Sequence, residues 1–362
     1  MTNYQSDKLR LISFVCILLV LYIHSVFHFK DTEVESMSLC YYLQEVISGM
    51  LGRLAVPMFF AISGTLFFKG TEESIKVVYQ KQRRRVKSLV IPYILAALFP
   101  PIIYLLLKFS GLLDFMLSKS LHYLSDPWWL LLCRIFVFNL PDNIPFAGQL
   151  WFLRDLIVVV CFTPLLWRLK QTKFGMEILL IFSFILLMFD LKYLPLKAFF
   201  WFCFGVKYLT KLKRSLWAYI GIVIFLVVSL FQIAFPHDGW KYVDIPIVAI
   251  GILSIWFLYD KLIPQTFLLS SHQMLNLLCQ STFFIYLYHI PLTIIVGQSI
   301  VHVLHRSSII YAFSYLVTPW ITMACLVIIA LLLHKFFPRF YSVLVGGRVF
   351  RSSIKSPNTP KL

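Results

Sequence analysis

The sequence predicts an all-α, polytopic integral membrane protein of about ten transmembrane helices with both termini cytoplasmic. Three observations predict it. Hydrophobic residues make up 60% of the chain and charged residues only 14%, far from the balance of a soluble domain. The apolar residues gather into ten long runs, and the Lys and Arg fall mainly into alternate connections between them. A net charge of +17 spread over a soluble chain would suggest nucleic-acid binding; here it is a topology signal, and no nucleic-acid partner is expected.

The first run, 11–28, follows Lys8 and Arg10, and no small-residue cleavage site comes after it. It reads as an uncleaved first span carrying His24 and His28. Run 46–68 is second. Run 88–108 is third, preceded by Lys69, Lys76, Lys81 and the cluster Arg83-Arg84-Arg85-Val86-Lys87. Segment 127–139 is too short for a hydrocarbon core of roughly 30 Å. It contains Arg134 and two tryptophans, which suits an interfacial or re-entrant segment. Runs 149–167, 176–191, 197–210, 215–235, 245–260, 280–299 and 311–335 complete the set. With both termini inside, 23 of the 33 Lys and Arg fall on the cytoplasmic side and 8 outside, in agreement with the positive-inside rule. Residues 1–350 read as one membrane domain, and 351–362 as a basic, disordered cytoplasmic tail. The seven cysteines are scattered, without CxxC or zinc-type spacing, so no metal is expected.

Polar residues inside apolar runs are the candidates for chemistry, because each is costly in lipid unless it meets a partner. At 1.5 Å per helical residue, His24 lies roughly 22 Å along the first span, in its outer half, and Arg53 roughly 10 Å below the outer surface in the second. Arg154 and Asp155 reach a similar depth on the fourth span, and His289 falls near the midplane on the ninth. A His beside Asp155 would be held in one tautomer and suit a general base at neutral pH. Structural readings stand beside these: interfacial or packing roles for His24 and His289, and structural ion pairs for Arg53 or Arg154-Asp155. Ser63-Gly64 reads first as a small-residue packing seam. Arg83, Arg84, Arg85 and Lys87 suit either a topology signal or a phosphate clamp for a cofactor such as coenzyme A.

Five blocks in order carry a family resemblance: Val56-Pro57-Met58-Phe59-Phe60-Ala61-Ile62-Ser63-Gly64, Arg85-Val86-Lys87-Ser88-Leu89-Val90-Ile91-Pro92-Tyr93, Leu150-Trp151-Phe152-Leu153-Arg154-Asp155-Leu156, Phe199 to Gly205, and Phe284-Ile285-Tyr286-Leu287-Tyr288-His289. Together they resemble the integral-membrane acyltransferase family 3, bacterial enzymes that acylate envelope glycans. The resemblance implies an acyl-CoA donor, acetyl-CoA first, bound from the cytoplasm at the inner membrane. It also implies a hydroxyl acceptor on an envelope carbohydrate or lipid-linked glycan. His24 matches the first-span His thought essential in the family, and would serve as general base, with Arg53 or Arg154 stabilising developing negative charge. The family's basic residue before that His aligns with Ser13 here, and Arg10 lies one turn earlier. The competing class is a transporter or glycan exporter, but the paired Gly/Pro-broken segments of many carriers are missing from the pattern.

Overall fold

The computed structural model describes residues 3–29, 37–71, 74–109, 127–137, 146–189, 191, 194–209, 217–304 and 307–350. Among the described residues there are helices and turns and no strand. The expected tail at 351–362 lies outside them.

Helix α1, Asn3–Ile23, carries Asp7, Lys8 and Arg10 in its first turns and ends beside His24. Helix α2 runs from Ser38–Phe68 and changes its hydrogen-bond register on the way. A wide π turn covers Glu45–Leu51 and a tight 3-10 turn covers Gly52–Leu54. Pro57 follows at once; it has no N–H for the carbonyl of Arg53, so the regular ladder is interrupted there in any case. Helix α3, Ile75–Phe109, begins well before the predicted run at 88, so the basic cluster lies on a helix and not in a connection. Helix α4, Trp128–Phe136, is the short segment expected at an interface, with Trp128 and Trp129 both exposed.

Helices α5, Trp151–Cys161, and α6, Thr163–Gln171, meet at a 57° bend. Pro164 sits in the first turn of α6, where its missing N–H is no loss. Next come α7, Gly175–Leu187, and α8, Leu196–Phe204, the latter prolonged by a π turn over Gly205–Leu209. Helices α9, Trp217–Ala234, and α10, Lys241–Leu262, form a hairpin. Helix α11, Gln273–Val303, breaks at Ile290, where φ is −97° and ψ is 133°. Pro291 causes this, since the residue before a proline is pushed out of the helical region. Helix α12, Ser308–Phe336, packs against α11, and α13, Pro338–Leu344, closes the described chain.

Each of the ten predicted runs overlaps a helix among the described residues, though the first runs on past α1 to residue 28. Five helices are long and apolar enough to cross a membrane alone, and the bent α5–α6 pair makes a sixth. Helix α1 is charged in its first turns, and α7 has 13 residues, about 20 Å of helix. Large apolar side chains still face outward in helical register on the shorter helices: Ile178, Ile181 and Ile185 on α7, and Val223, Val227 and Leu230 on α9. Exposed apolar stripes of this kind are what a bilayer covers.

Contacts fix the helix directions. Arg10 meets Asn276 and His24 meets His289, so α1 and α11 run parallel. Gly52 packs on Ile23 while Lys69 reaches Gln5, so α2 runs the opposite way. Gln149 reaches Leu287, and Gln82 of α3 bonds the carbonyls of Val160 and Cys161, so α5 descends beside a rising α3. The bundle therefore has one end holding Lys8, Lys69, Arg85 and Arg348, and another holding His24, Arg53 and His289. Helices α2 and α8 cross with backbones in contact: a Cβ on Gly64 would lie 2.1 Å from the Phe202 carbonyl oxygen, and one on Gly205 only 1.9 Å from that of Ala61. The Ser63-Gly64 seam expected from sequence is thus a packing seam, tied further by Thr65 Oγ1 donating to the Gly205 carbonyl at 2.8 Å.

Candidate active site

The two histidines singled out from separate spans lie together. Their ring centroids are 5.0 Å apart, with planes inclined at 49°. His289 is fully buried, whereas His24, just past the last turn of α1, is half-buried. His289 Nδ1 lies 2.9 Å from the Tyr286 carbonyl oxygen and 3.2 Å from that of Ile285, so Nδ1 carries the hydrogen and donates. The lone pair of the neutral ring is then on Nε2, which is buried and has no hydrogen-bond partner among the described residues. Backbone carbonyls, and not Asp155, hold this tautomer.

Pro291 explains a second polar contact. The carbonyl four residues before a proline loses its helical donor, and here that carbonyl belongs to Leu287. Gln149 Nε2 supplies the missing hydrogen bond at 3.1 Å from outside the helix. Tyr286 returns the contact, donating from its hydroxyl to the Gln149 carbonyl at 2.8 Å. These two bonds clamp α11 to the start of α5 beside the histidine pair. The Tyr286 ring packs edge-on against Phe152 and lies 6.5 Å, centroid to centroid, from His289.

Asp155 is engaged by its neighbour. Arg154 Nε and Nη2 each lie 2.9 Å from Asp155 Oδ1, and Nη1 donates to the Val137 carbonyl at 2.6 Å. Tyr93, whose hydroxyl donates to the Phe136 carbonyl, shares this neighbourhood with Asp155 and Tyr286. Arg154-Asp155 therefore ties α5 to the chain around α4.

Arg53 points elsewhere. Nη1 pairs with Asp244 at 3.2 Å, Nη2 donates to Gln232 at 2.8 Å and also to Ser229, and the buried Nε has no partner among the described residues. These groups line a cavity of about 230 Å³ that also meets Glu45 and Trp240. The π turn of α2 shapes it, because Glu45, Gly49 and Met50 all belong to that turn. It lies at the histidine end of the bundle, since Gly52 packs directly on Ile23.

The basic cluster divides by face. Arg83, Arg84 and Lys87 are exposed, while Arg85 turns inward and is half-buried. Arg10 belongs to a separate polar network: Nη2 donates to Asn276 Oδ1 at 2.5 Å and Nη1 lies 3.7 Å from Asp7. Fourteen residues of helix, about 21 Å, separate it from His24, so it does not join the histidine pair. Sequence reasoning missed Gln149, Tyr286, Asp244 and Arg348 as site residues. For Gln149 a signal existed, since Pro291 announces an orphaned carbonyl at Leu287.

A family model described as an acyltransferase domain matches residues 7–334. No curated protein and no solved structure matches the chain.

Proposed function

This chain belongs to the acyltransferase family 3, and from that premise we propose that it moves an acyl group, acetyl first, from acyl-CoA to a hydroxyl of an envelope carbohydrate or lipid-linked glycan. It is a membrane acyltransferase. The observation that supports the histidine mechanism is the His24–His289 pair, with the tautomer of His289 fixed from behind. In this reading His24, the more accessible ring, takes the proton from the acceptor hydroxyl as its oxygen attacks the thioester carbonyl. The tetrahedral intermediate collapses, the carbon–sulfur bond breaks, and His24 returns the proton to the leaving thiolate. His289 positions His24: its bare Nε2 is an acceptor for the N–H of the imidazolium formed in the first step.

Arg53 belongs with the acceptor in this reading and not with the oxyanion. Its cavity combines an aromatic face, Trp240, with hydrogen-bonding groups on Ser229, Gln232 and Asp244, which suits a neutral polyhydroxyl ring. Arg154 and Asp155 hold the α5 end of the site. The ten-span topology, with the Lys- and Arg-rich end in the cytoplasm of a bacterial inner membrane, completes the reading and places donor and acceptor on opposite faces. The alternative of a glycan exporter has no observation in its favour.

The test is to incubate the purified protein with acyl-CoA labelled in the acyl group and a pool of envelope glycans. Label is expected in the glycan fraction as a base-labile ester. Label remaining on CoA or appearing only as free acid, across several donors, contradicts the reading.

A further inference from the structure

Beyond α13 the chain turns sharply at Gly346 and Gly347, with φ of +60° and +83°, values that suit glycine. The turn is laid onto α3: a Cβ on Gly346 would lie 2.2 Å from the Ser88 carbonyl oxygen. It delivers Arg348, whose Nη1 donates to the carbonyls of Ser88 at 3.2 Å and Val345 at 3.0 Å. The guanidinium carbon lies 4.0 Å from the centre of the Phe283 ring on α11. Ser88 is three residues beyond Arg85 on α3, so the two guanidinium groups share one corner of the bundle, where burial and the charge of Arg85 hold Arg348 down to about 10.

Two half-buried arginines side by side repel and are each costly to desolvate. No carboxylate offsets them among the described residues. The acids placed at this end are taken: Asp260 by Lys8, Asp7 by Arg10 and the Leu269 N–H, and Glu177 by Lys207. Lys81, one turn before Arg85, is itself turned to the carbonyls of Phe67 and Lys69. Among the described residues Arg348 commits only Nη1, which leaves Nη2 and Nε as a donor pair. Such a fork matches the oxygens of a phosphate ester or diphosphate.

The geometry points to a phosphate site formed by Arg85 and Arg348, which holds the phosphates of the CoA donor. This rests on the donor reading above and adds its anchor. Arg348 lies outside the stretch 7–334 that the family model matches. Ring follows ring along α11, Phe283 to Tyr286 at 6.3 Å and Tyr286 to His289 at 6.5 Å between centroids, and six residues, about 9 Å, separate Phe283 from His289. A diphosphate at Arg348 would start the donor beside the helix that carries His289, with the pantetheine arm directed toward the histidine end. An anionic lipid headgroup offers the same phosphate chemistry, so the test separates the two sources.

Equilibrium binding of labelled CoA is measured on purified protein in nanodiscs of neutral lipid, and again with phosphatidylglycerol. Arg85→Gln and Arg348→Gln are each expected to weaken CoA binding about tenfold or more, the scale of losing charge-assisted contacts. Arg83→Gln, Arg84→Gln and Lys87→Gln together are expected to cost less than Arg348→Gln alone. Inorganic pyrophosphate should compete in the wild type and fail to compete with residual binding in Arg348→Gln. If Arg348→Gln unfolds, Arg348→Lys keeps the charge but removes the fork and should still lose affinity. Unchanged CoA affinity in folded Arg85→Gln and Arg348 variants overturns the site. It is also overturned, in favour of lipid, if the variants lose only bound phosphatidylglycerol. No CoA binding by the wild type overturns the donor reading itself.

Discussion

His289 takes its orientation from the backbone of its own helix, through the carbonyls of Ile285 and Tyr286, and two residues later Pro291 interrupts the ladder. The same interruption gives Gln149 its task, since the Leu287 carbonyl loses its regular helical donor and Gln149 Nε2 donates to it. Gln149→Leu keeps the volume and removes the donor. It should lower stability by about 1–3 kcal/mol, the cost of an unsatisfied buried carbonyl, read as a lower unfolding temperature in detergent. An unchanged unfolding temperature would mean that Gln149 is not the clamp. Both histidines were legible in the sequence as polar residues inside apolar runs. Their meeting was not, because depth along a helix says nothing of which face it presents. Gln149 stayed hidden although Pro291 announced its task, because the two contacting residues are 138 positions apart. Asp155 was read as a partner for histidine, but its nearest cation is the adjacent Arg154.

The apolar runs located the helices well where composition alone decides and poorly where charge extends a helix past the hydrocarbon. Helix α3 shows the difference: it starts at Ile75, so Lys81, Arg85 and Ser88 share a face at spacings of four and three, while Arg83, Arg84 and Lys87 turn to solvent. The division of the cluster follows from helical periodicity once the helix is known to begin there. The α2–α8 crossing gives the sharpest prediction at this scale. Gly205→Ala drives a methyl into the Ala61 carbonyl, against backbone that cannot rotate away. Overpacking of this kind costs about 1–3 kcal/mol, and the variant should unfold at lower temperature and extract poorly. Ala198→Gly, on the same helix but outside this contact, is the comparison. Wild-type stability in Gly205→Ala would show that the two helices are further apart than described.

Across the whole molecule, directions and charge agree. Basic side chains gather at the end holding Lys8 and Arg348, and the histidine pair and the Arg53 cavity lie at the other. Arg348 escaped notice in the sequence because a basic residue after the last span already satisfied the positive-inside pattern. Thr172, in the turn after α6, and Asp238, between α9 and α10, lie at opposite ends. In a background cleared of native cysteines, Thr172→Cys should react only with an impermeant thiol reagent on the cytoplasmic side, and Asp238→Cys only from outside. Labelling of both from one side would contradict the proposed ten-span arrangement.

The central claim is that acyl transfer takes place at the His24–His289 pair, between a donor anchored at one end and an acceptor at the other. The most direct measurement is single-turnover transfer from labelled acyl-CoA by the wild type and by His24→Gln, with CoA affinity measured on the same preparations. The account predicts that His24→Gln folds, binds CoA as the wild type does, and transfers at least about 100-fold more slowly, the scale of losing a positioned general base. A folded His24→Gln that transfers at the wild-type rate would contradict it.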